Sequence, residues 1–177
     1  RSRTLLQVAA AIEEHAEALA KIESLNTGRV ILETREDVSA TADLFRYFAG
    51  VIRSEEESVA RHDASTMTLI YREPYGVVGQ IVPWNFPFLI AGWKLAPALA
   101  AGNTVVIKPA SLTPLSLLAF AEVTGDILPG GVLNVLPGSG SVCGAAITSH
   151  PRVRKLAFTG STAVGRGIAR AAADRVV

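Results

Sequence analysis

The chain has 177 residues, enough to bury one hydrophobic core, and this length predicts one compact domain. With 49% hydrophobic and 19% charged residues, a net charge of +1 and no cluster of lysine and arginine, the composition argues against a disordered or nucleic-acid-binding chain. No apolar run reaches the ~18 residues of a membrane helix, so no membrane association is expected, and the single cysteine, Cys143, excludes an internal disulfide and favours the cytoplasm.

The N-terminal third predicts two amphipathic helices followed by a strand. Apolar residues recur at helical spacing over residues 5–22, and Asn26-Thr-Gly28 is expected to end this helix. A second helix is predicted from about Asp37 to His62 because apolar residues line one side of it. Residues 66–72 are then predicted to form a strand that Glu73-Pro74 ends.

From Tyr75 onward, short apolar runs alternate with helix-forming stretches. Strands are predicted near residues 76–82, 104–108, 132–136 and 155–158, and helices near 87–101, 114–127, 141–149 and 162–174. Such alternation predicts right-handed β-α-β units. The fold class is therefore α/β: an open, mostly parallel, Rossmann-like sheet with flanking helices, which holds a ligand at the carboxyl ends of its strands.

Two glycine clusters invite a phosphate-binding interpretation. Gly138-Ser-Gly140-Ser-Val-Cys-Gly144 approaches the dinucleotide fingerprint, but its last spacing is one residue too long, and taken alone it favours a tight strand-to-helix turn. Residues 160–165 have the glycine spacing of a P-loop, but Arg166-Gly167 replaces the required Lys-Ser/Thr pair. Ser161 remains as either a plain helix N-cap or part of an anion site.

Two polar residues follow predicted strands directly. Lys108 ends the apolar run of residues 104–107, where it could bind ribose hydroxyls or a phosphate, or extend along the surface to solvent. Asn85 follows Trp84 between two prolines, where its amide could donate to a developing oxyanion or hydrogen-bond the backbone of its own turn.

The three histidines have no metal-ligand spacing, so no metal site is predicted, and Cys143 is expected to be a buried structural thiol.

Five blocks of sequence together resemble the aldehyde dehydrogenase family over nearly the whole chain. They are Ile81-Val-Pro-Trp-Asn-Phe-Pro87, Trp93-Lys-Leu-Ala-Pro-Ala-Leu-Ala-Ala-Gly-Asn103, Lys108-Pro109, Pro137-Gly-Ser-Gly140 and Phe158-Thr-Gly-Ser161. Agreement of five blocks in the correct order is more specific than any one glycine motif. The resemblance implies that a variant Rossmann domain binds NAD or NADP.

The resemblance also implies roles for individual residues. Lys108 matches the lysine that reaches the adenosine ribose, and Ser161 begins the helix near the pyrophosphate. The full expected cofactor-binding set is Ile81, Val82, Pro83, Trp84, Lys108, Ser111, Gly140, Gly144, Phe158, Gly160, Ser161 and Val164. Asn85 matches the asparagine that helps to hold the thiohemiacetal oxyanion, and it is the one catalytic residue expected here.

By the same resemblance, residues 1–65 are an N-terminal helical segment of the cofactor domain, residues 66–75 are part of an oligomerisation hairpin, and residues 76–177 are the dinucleotide-binding domain. The family's catalytic cysteine and general-base glutamate are expected beyond this chain, which begins without a methionine and resembles an N-terminal fragment. The complete enzyme is expected to oxidise an aldehyde to a carboxylic acid as a homo-oligomer, either dimer or tetramer, whereas the chain alone is expected to be inactive.

One departure from the family concerns cofactor choice. Ser111 stands where many NAD-preferring members have a glutamate that accepts from the ribose 2′-hydroxyl. A carboxylate would repel the 2′-phosphate of NADP and a serine would not, so tolerance of NADP is expected. Two other functions stay open at this point: a non-catalytic nucleotide-binding module, and an interaction protein with relict motifs.

Overall fold

The computed structural model describes residues 1–174, so the last three residues of the predicted dinucleotide-binding domain lie outside the described residues. The predicted α/β class is confirmed. The elements are α1 Ser2–Glu14, α2 Ala16–Thr27, α3 Ile31–Ser54, β1 Ser58–Arg61, β2 Met67–Ile70, β3 Val77–Ile81, α4 Pro87–Ala100, β4 Thr104–Lys108, α5 Leu115–Val123, β5 Leu133–Val135, α6 Ala145–Ser149, β6 Val153–Phe158 and α7 Thr162–Ala173. A π-helical turn, Gly140–Gly144, leads into α6.

The predicted first helix is two helices that meet at His15. This residue has ψ near 15° and interrupts the helix between α1 and α2. The break turns α2 so that Leu19, Ala20 and Glu23 are buried, where α2 packs against α3 and α5. A single straight helix would not bring these residues to that position. Gly28, in the left-handed conformation at φ 77°, ends α2 as its sequence indicates.

The prediction of a helix from Asp37 to His62 is wrong at both ends. The helix α3 begins at Ile31 and ends at Ser54, and Ser58–Arg61 is the strand β1 instead. β1 pairs antiparallel with β2, with Ser58 opposite Ile70. The physical reason is long-range: the polar run after Ser54 has no core to pack on as a helix, and β2 offers backbone partners that local sequence does not reveal.

The four remaining strands form one parallel sheet in the order β5-β4-β3-β6. The buried residues Val78, Val105 and Ile107 of this sheet belong to the core that α1, α3, α4 and α5 complete. On the other face Gly79 allows α6 to approach, because a Cβ there would lie 2.5 Å from the Ile147 side chain. The predicted strands and helices beyond Tyr75 are therefore confirmed, but β5 is shorter than expected, α5 ends at Val123, and a π-helical turn occupies residues 140–144 before α6.

Three aromatic rings occupy the centre of the helical side of this core. The Phe120 ring lies 5.9 Å from Phe45 and 5.6 Å from Phe88, centroid to centroid. These residues come from α5, α3 and α4, so one cluster joins three helices.

None of the helices within residues 1–174 combines the length and apolarity required to cross a bilayer.

Candidate functional site

The carboxyl ends of three neighbouring strands bring three predicted site residues together. Ile81 at the end of β3 pairs in register with Lys108 of β4 on one side and with Phe158 of β6 on the other. The hydrogen-bonded ladder extends one residue further, since Val82 N donates to Lys108 O and Thr159 N donates to Ile81 O. This edge is where ligands bind in open parallel sheets.

Lys108 is buried, with only 4% of its surface exposed. Its ammonium donates to the carbonyl of Pro109 at 2.7 Å and to that of Gly138 at 3.1 Å. Burial lowers the pKa of this ammonium, an effect that the nearby Cys143 opposes. The alternative of a lysine extending to solvent is therefore wrong, and an ammonium has three N–H donors, of which two are engaged here.

The turn after β5 is tied to the turn after β4. The carbonyl of Gly138 accepts from Lys108 Nζ and from Ser111 Oγ, the latter at 2.9 Å. Cys143 packs on the same turn: its Sγ lies 3.8 Å from Pro137 O and would lie 2.3 Å from a Cβ at Gly138. The thiol is half-buried, rather than fully buried as expected, and it packs against this turn.

A cleft of ≈ 480 Å³ opens between α6 and α7, above the edge of the sheet. Five predicted cofactor-binding residues line it: Ile81, Lys108, Gly140, Gly144 and Val164. Absence of side chains at the two glycines leaves flat walls; a Cβ at Gly144 would lie 3.8 Å from both Ile81 and Lys108. A slot with mostly apolar walls and a cation at its base suits a planar ring that carries a polar substituent.

A second cleft, of ≈ 500 Å³, lies at the start of α7 and is lined by Phe158, Gly160 and Ser161 together with Arg166. Ser161 is the N-cap of α7, because its hydroxyl accepts from Val164 N at 3.4 Å. Gly160 leaves room for the Phe158 ring, since a Cβ there would lie 2.6 Å from the ring and displace it. The first-turn N–H groups of a helix and a nearby guanidinium together favour an anion.

The other predicted residues line neither of the two clefts. Val82 is part of the hydrophobic core, Pro83 is half-buried, and Ser111 is exposed. Trp84 is 61% exposed and Asn85 is also exposed, on the loop between β3 and α4. This loop leaves the same edge of the sheet as Lys108, so Asn85 lies at the edge where the two clefts open, without lining either.

Sequence reasoning missed part of the first cleft. Ile168 and Ala171 line it together with Val164, and Thr148 and Ser149 close it from α6. The spacing from Val164 to Ile168 to Ala171 places three apolar residues on one face of α7. That spacing was present in the sequence and could have identified them.

Sequence comparison matches the whole chain, residues 1–177, to the aldehyde dehydrogenase family. An aldehyde dehydrogenase of Vibrio cholerae serotype O1 is 52% identical over 100% of this chain and 35% of its own length. An acetaldehyde dehydrogenase of Pseudomonas aeruginosa is 51% identical with the same coverage. The chain therefore spans about a third of the length of the curated relatives it matches.

Structure comparison gives the same answer. The NAD⁺ complex of an aldehyde dehydrogenase from Bacillus cereus superposes with a TM-score of 0.97 at 42% identity, covering 99% of this chain and 36% of that one. The fold of this chain thus occurs in a solved member of the family that the sequence matches. The chain belongs to the aldehyde dehydrogenase family.

Proposed function

We propose that the full-length protein containing this chain oxidises an aldehyde to a carboxylic acid with NAD or NADP, and that this chain supplies the cofactor-binding part. The observation that carries the proposal is the register of Ile81 with Lys108 and Phe158, which aligns three strand ends beneath two adjoining clefts. A bound nicotinamide would supply the two-electron acceptor for the aldehyde carbon.

The dimensions and donors of the two clefts fit a dinucleotide. The apolar slot between α6 and α7 would take the adenine, against Gly140, Gly144 and Val164. The third N–H of the Lys108 ammonium would donate to the ribose, and Ser161 with the first turn of α7 would hold the pyrophosphate. Phe158 and Gly160 would shape that turn. Residues 81–84 would contact the cofactor where it passes the end of β3.

Asn85 is the residue of this chain that we propose to take part in the chemistry. Its exposed amide, on the loop after β3, would donate to the oxyanion that develops on the aldehyde oxygen. The thiolate nucleophile and general base would come from residues outside this chain, so the chain alone would oxidise no aldehyde. The single cysteine supports a reducing compartment, and we propose the cytoplasm.

The β1–β2 hairpin supports a homo-oligomer, a dimer or tetramer. Every residue in its two strands is exposed, including Val59, Met67, Leu69 and Ile70. An isolated two-stranded hairpin is only marginally stable in water, so a partner surface would stabilise it.

The proposal is tested by assaying the purified full-length protein for NAD- and NADP-dependent oxidation of a series of aldehydes. Calorimetric titration with each cofactor measures binding separately. Cofactor binding without oxidation would favour a non-catalytic nucleotide-binding module. Neither binding nor oxidation by folded protein would favour an interaction protein and contradict the proposal.

Replacing Lys108 by methionine is expected to raise the dissociation constant of NAD about tenfold or more. The ammonium would contribute a hydrogen bond from a charged donor, worth ~1.5–3 kcal/mol, and methionine keeps the length of the side chain without a donor. Titration calorimetry of the folded variant measures the change. Lys21→Met, at an exposed position on α2, is the matched control and should bind NAD normally.

Replacing Ser111 by glutamate is expected to weaken NADP binding about tenfold and to leave NAD binding within about threefold, because a carboxylate repels the 2′-phosphate. Ser111→Gln separates this charge effect from loss of the hydroxyl bond to Gly138. Titrations with both cofactors give the ratio for each variant. Strict preference for NAD in the unmodified enzyme would contradict the expected NADP tolerance.

A further inference from the structure

The end of α2 and the turn that follows it contact both loops that carry polar residues of the candidate site. We call residues 23–29 the α2–α3 corner. One loop, residues 82–86, joins β3 to α4 and contains Asn85; the other, residues 109–114, joins β4 to α5 and contains Ser111. The corner lies far from both loops in sequence.

Glu23 contacts the first turn of α4, directly after the first loop. Its side chain is 0% exposed, and its Oε1 accepts from the backbone N–H of Phe88 at 3.1 Å. The helix α4 begins at Pro87, and its N-cap residue, Phe86, provides no side-chain acceptor. The acceptor for this first-turn N–H therefore comes from Glu23.

Arg29 contacts the same loop from the other side of the corner. Its guanidinium stacks on the Phe86 ring, 3.9 Å from the ring centroid. Asp37 pairs with the guanidinium, and Glu33 lies 3.3 Å from it, so the cation is held in place. The corner thus holds Phe86 and Phe88, directly after Asn85, through one cation–π contact and one hydrogen bond.

Asn26 contacts the second loop through both ends of its amide. Its Nδ2 donates to Leu112 O at 3.1 Å, and its Oδ1 accepts from Leu115 N at 3.0 Å. These two bonds join the loop's exposed segment to the start of α5. Other bonds restrict the near ends of the two loops, since Val82 N donates to Lys108 O and Ser111 Oγ donates to Gly138 O. The corner restricts the far ends, where the loops enter α4 and α5.

We propose that the α2–α3 corner is the positioning element of the site: Glu23 and Arg29 set the position of Asn85, and Asn26 sets the loop that follows Lys108. None of the three corner residues lines the clefts, so they act through the loops. The inference rests on the proposed aldehyde oxidation, because Asn85 matters only if an oxyanion develops beside it. Displacement of a catalytic group by about 1 Å is enough to slow a reaction up to ~10²-fold.

The surroundings of Glu23 suggest which variant should preserve its role. Burial raises the pKa of this carboxyl, and the Ser116 hydroxyl, the Phe88 amide and Arg29 oppose the rise, whereas Asp37 adds to it. With the native pKa above the unfolded one, ionisation opposes folding once the pH exceeds the unfolded pKa. Glutamine keeps an acceptor for Phe88 N without a buried charge, so Glu23→Gln should fold and position the loop.

The experiment compares variants of the full-length enzyme. Glu23→Leu, which removes the acceptor, is expected to lower kcat about tenfold and to leave the dissociation constant of NAD within about twofold. Glu23→Gln should restore kcat to within about threefold of the unmodified enzyme. Glu17→Leu, at an exposed position on the same helix, is the matched control and should be normal in both measurements.

Asn26→Leu should affect NAD binding and not kcat, the reverse of Glu23→Leu, because it removes the contacts to the loop that follows Lys108. We expect its NAD dissociation constant to rise about fivefold and its kcat to stay within about twofold of normal. Arg29→Lys keeps the charge beside Asp37 but loses the planar stack on Phe86, and it should lower kcat about threefold. This milder variant tests the first loop even if Glu23→Leu fails to fold.

A double-mutant cycle distinguishes positioning from general support of the fold. If Glu23 acts through Asn85, Glu23→Leu should lower kcat about tenfold in the normal background and by no more than about twofold in the Asn85→Ala background. An equal loss of kcat in both backgrounds would overturn this inference and leave the proposed function standing. Normal kcat in folded Glu23→Leu and Arg29→Lys would do the same. If the unmodified enzyme oxidises no aldehyde, the proposed function fails and this inference fails with it.

Discussion

Replacing Asn85 by alanine in the full-length enzyme is expected to lower kcat about 10²–10³-fold, the usual effect of removing one oxyanion donor. The amide is exposed on the loop after β3, and it lines neither of the clefts proposed for the cofactor. The dissociation constant of NAD should therefore change by less than about twofold. Steady-state kinetics and titration calorimetry measure the two effects separately.

Asn85→Asp is the matched variant for this prediction. Aspartate has the shape of asparagine but, when ionised, accepts hydrogen bonds and does not donate them. It should therefore be at least as impaired as alanine, which identifies donation rather than shape as the function of the amide. A kcat within about threefold of normal in either variant would contradict the proposed role of Asn85.

Replacing Phe120 by alanine is expected to lower the free energy of unfolding by about 3–5 kcal/mol. The ring is 1% exposed and contacts both Phe45 and Phe88, so its removal leaves a cavity where α3, α4 and α5 meet. Since domains are stable by only ~5–15 kcal/mol, this is a large fraction of the total. Urea denaturation of the chain, followed by circular dichroism, measures the change.

Leu118→Ala is the control for Phe120, because Leu118 lies on the same helix with its side chain exposed. At 38% exposure it loses less buried surface than Phe120, and its effect on the unfolding free energy should be no more than about 1–1.5 kcal/mol. Equal destabilisation by the two substitutions would mean that apolar burial anywhere along α5, and not the aromatic cluster in particular, determines the stability of this region.

The aromatic cluster and the candidate site are physically connected at one residue. The Phe88 ring packs against Phe120 in the core, while the Phe88 backbone N–H donates to Glu23. The start of α4, and with it the loop that carries Asn85, is thus held from the core side and from the α2–α3 corner. Damage to either side should therefore disturb the loop.

Several elements could be predicted from local sequence because their determinants are local. The strand β4 has three consecutive apolar residues at its centre, Pro87 begins α4, Gly28 ends α2, and Ser161 caps α7. Side-chain period and the backbone preferences of proline, glycine and serine act within a few residues, so a sequence displays them directly. The same blocks of residues also identified the family.

Other features were decided by contacts between distant parts of the chain. Local periodicity did not predict the break at His15 or the strand β1, because both depend on partners elsewhere in the fold. Nor did it predict the burial of Lys108, whose ammonium contacts the carbonyl of Gly138.

The cap that Glu23 provides for α4 belongs to the same group, since the two residues it joins are 65 positions apart. By itself, the sequence determined the family, the type of most elements and the candidate residues. Tertiary structure alone decided which of those residues lie together and what holds their loops in place, because strand order, register and long-range hydrogen bonds exist only in the folded chain.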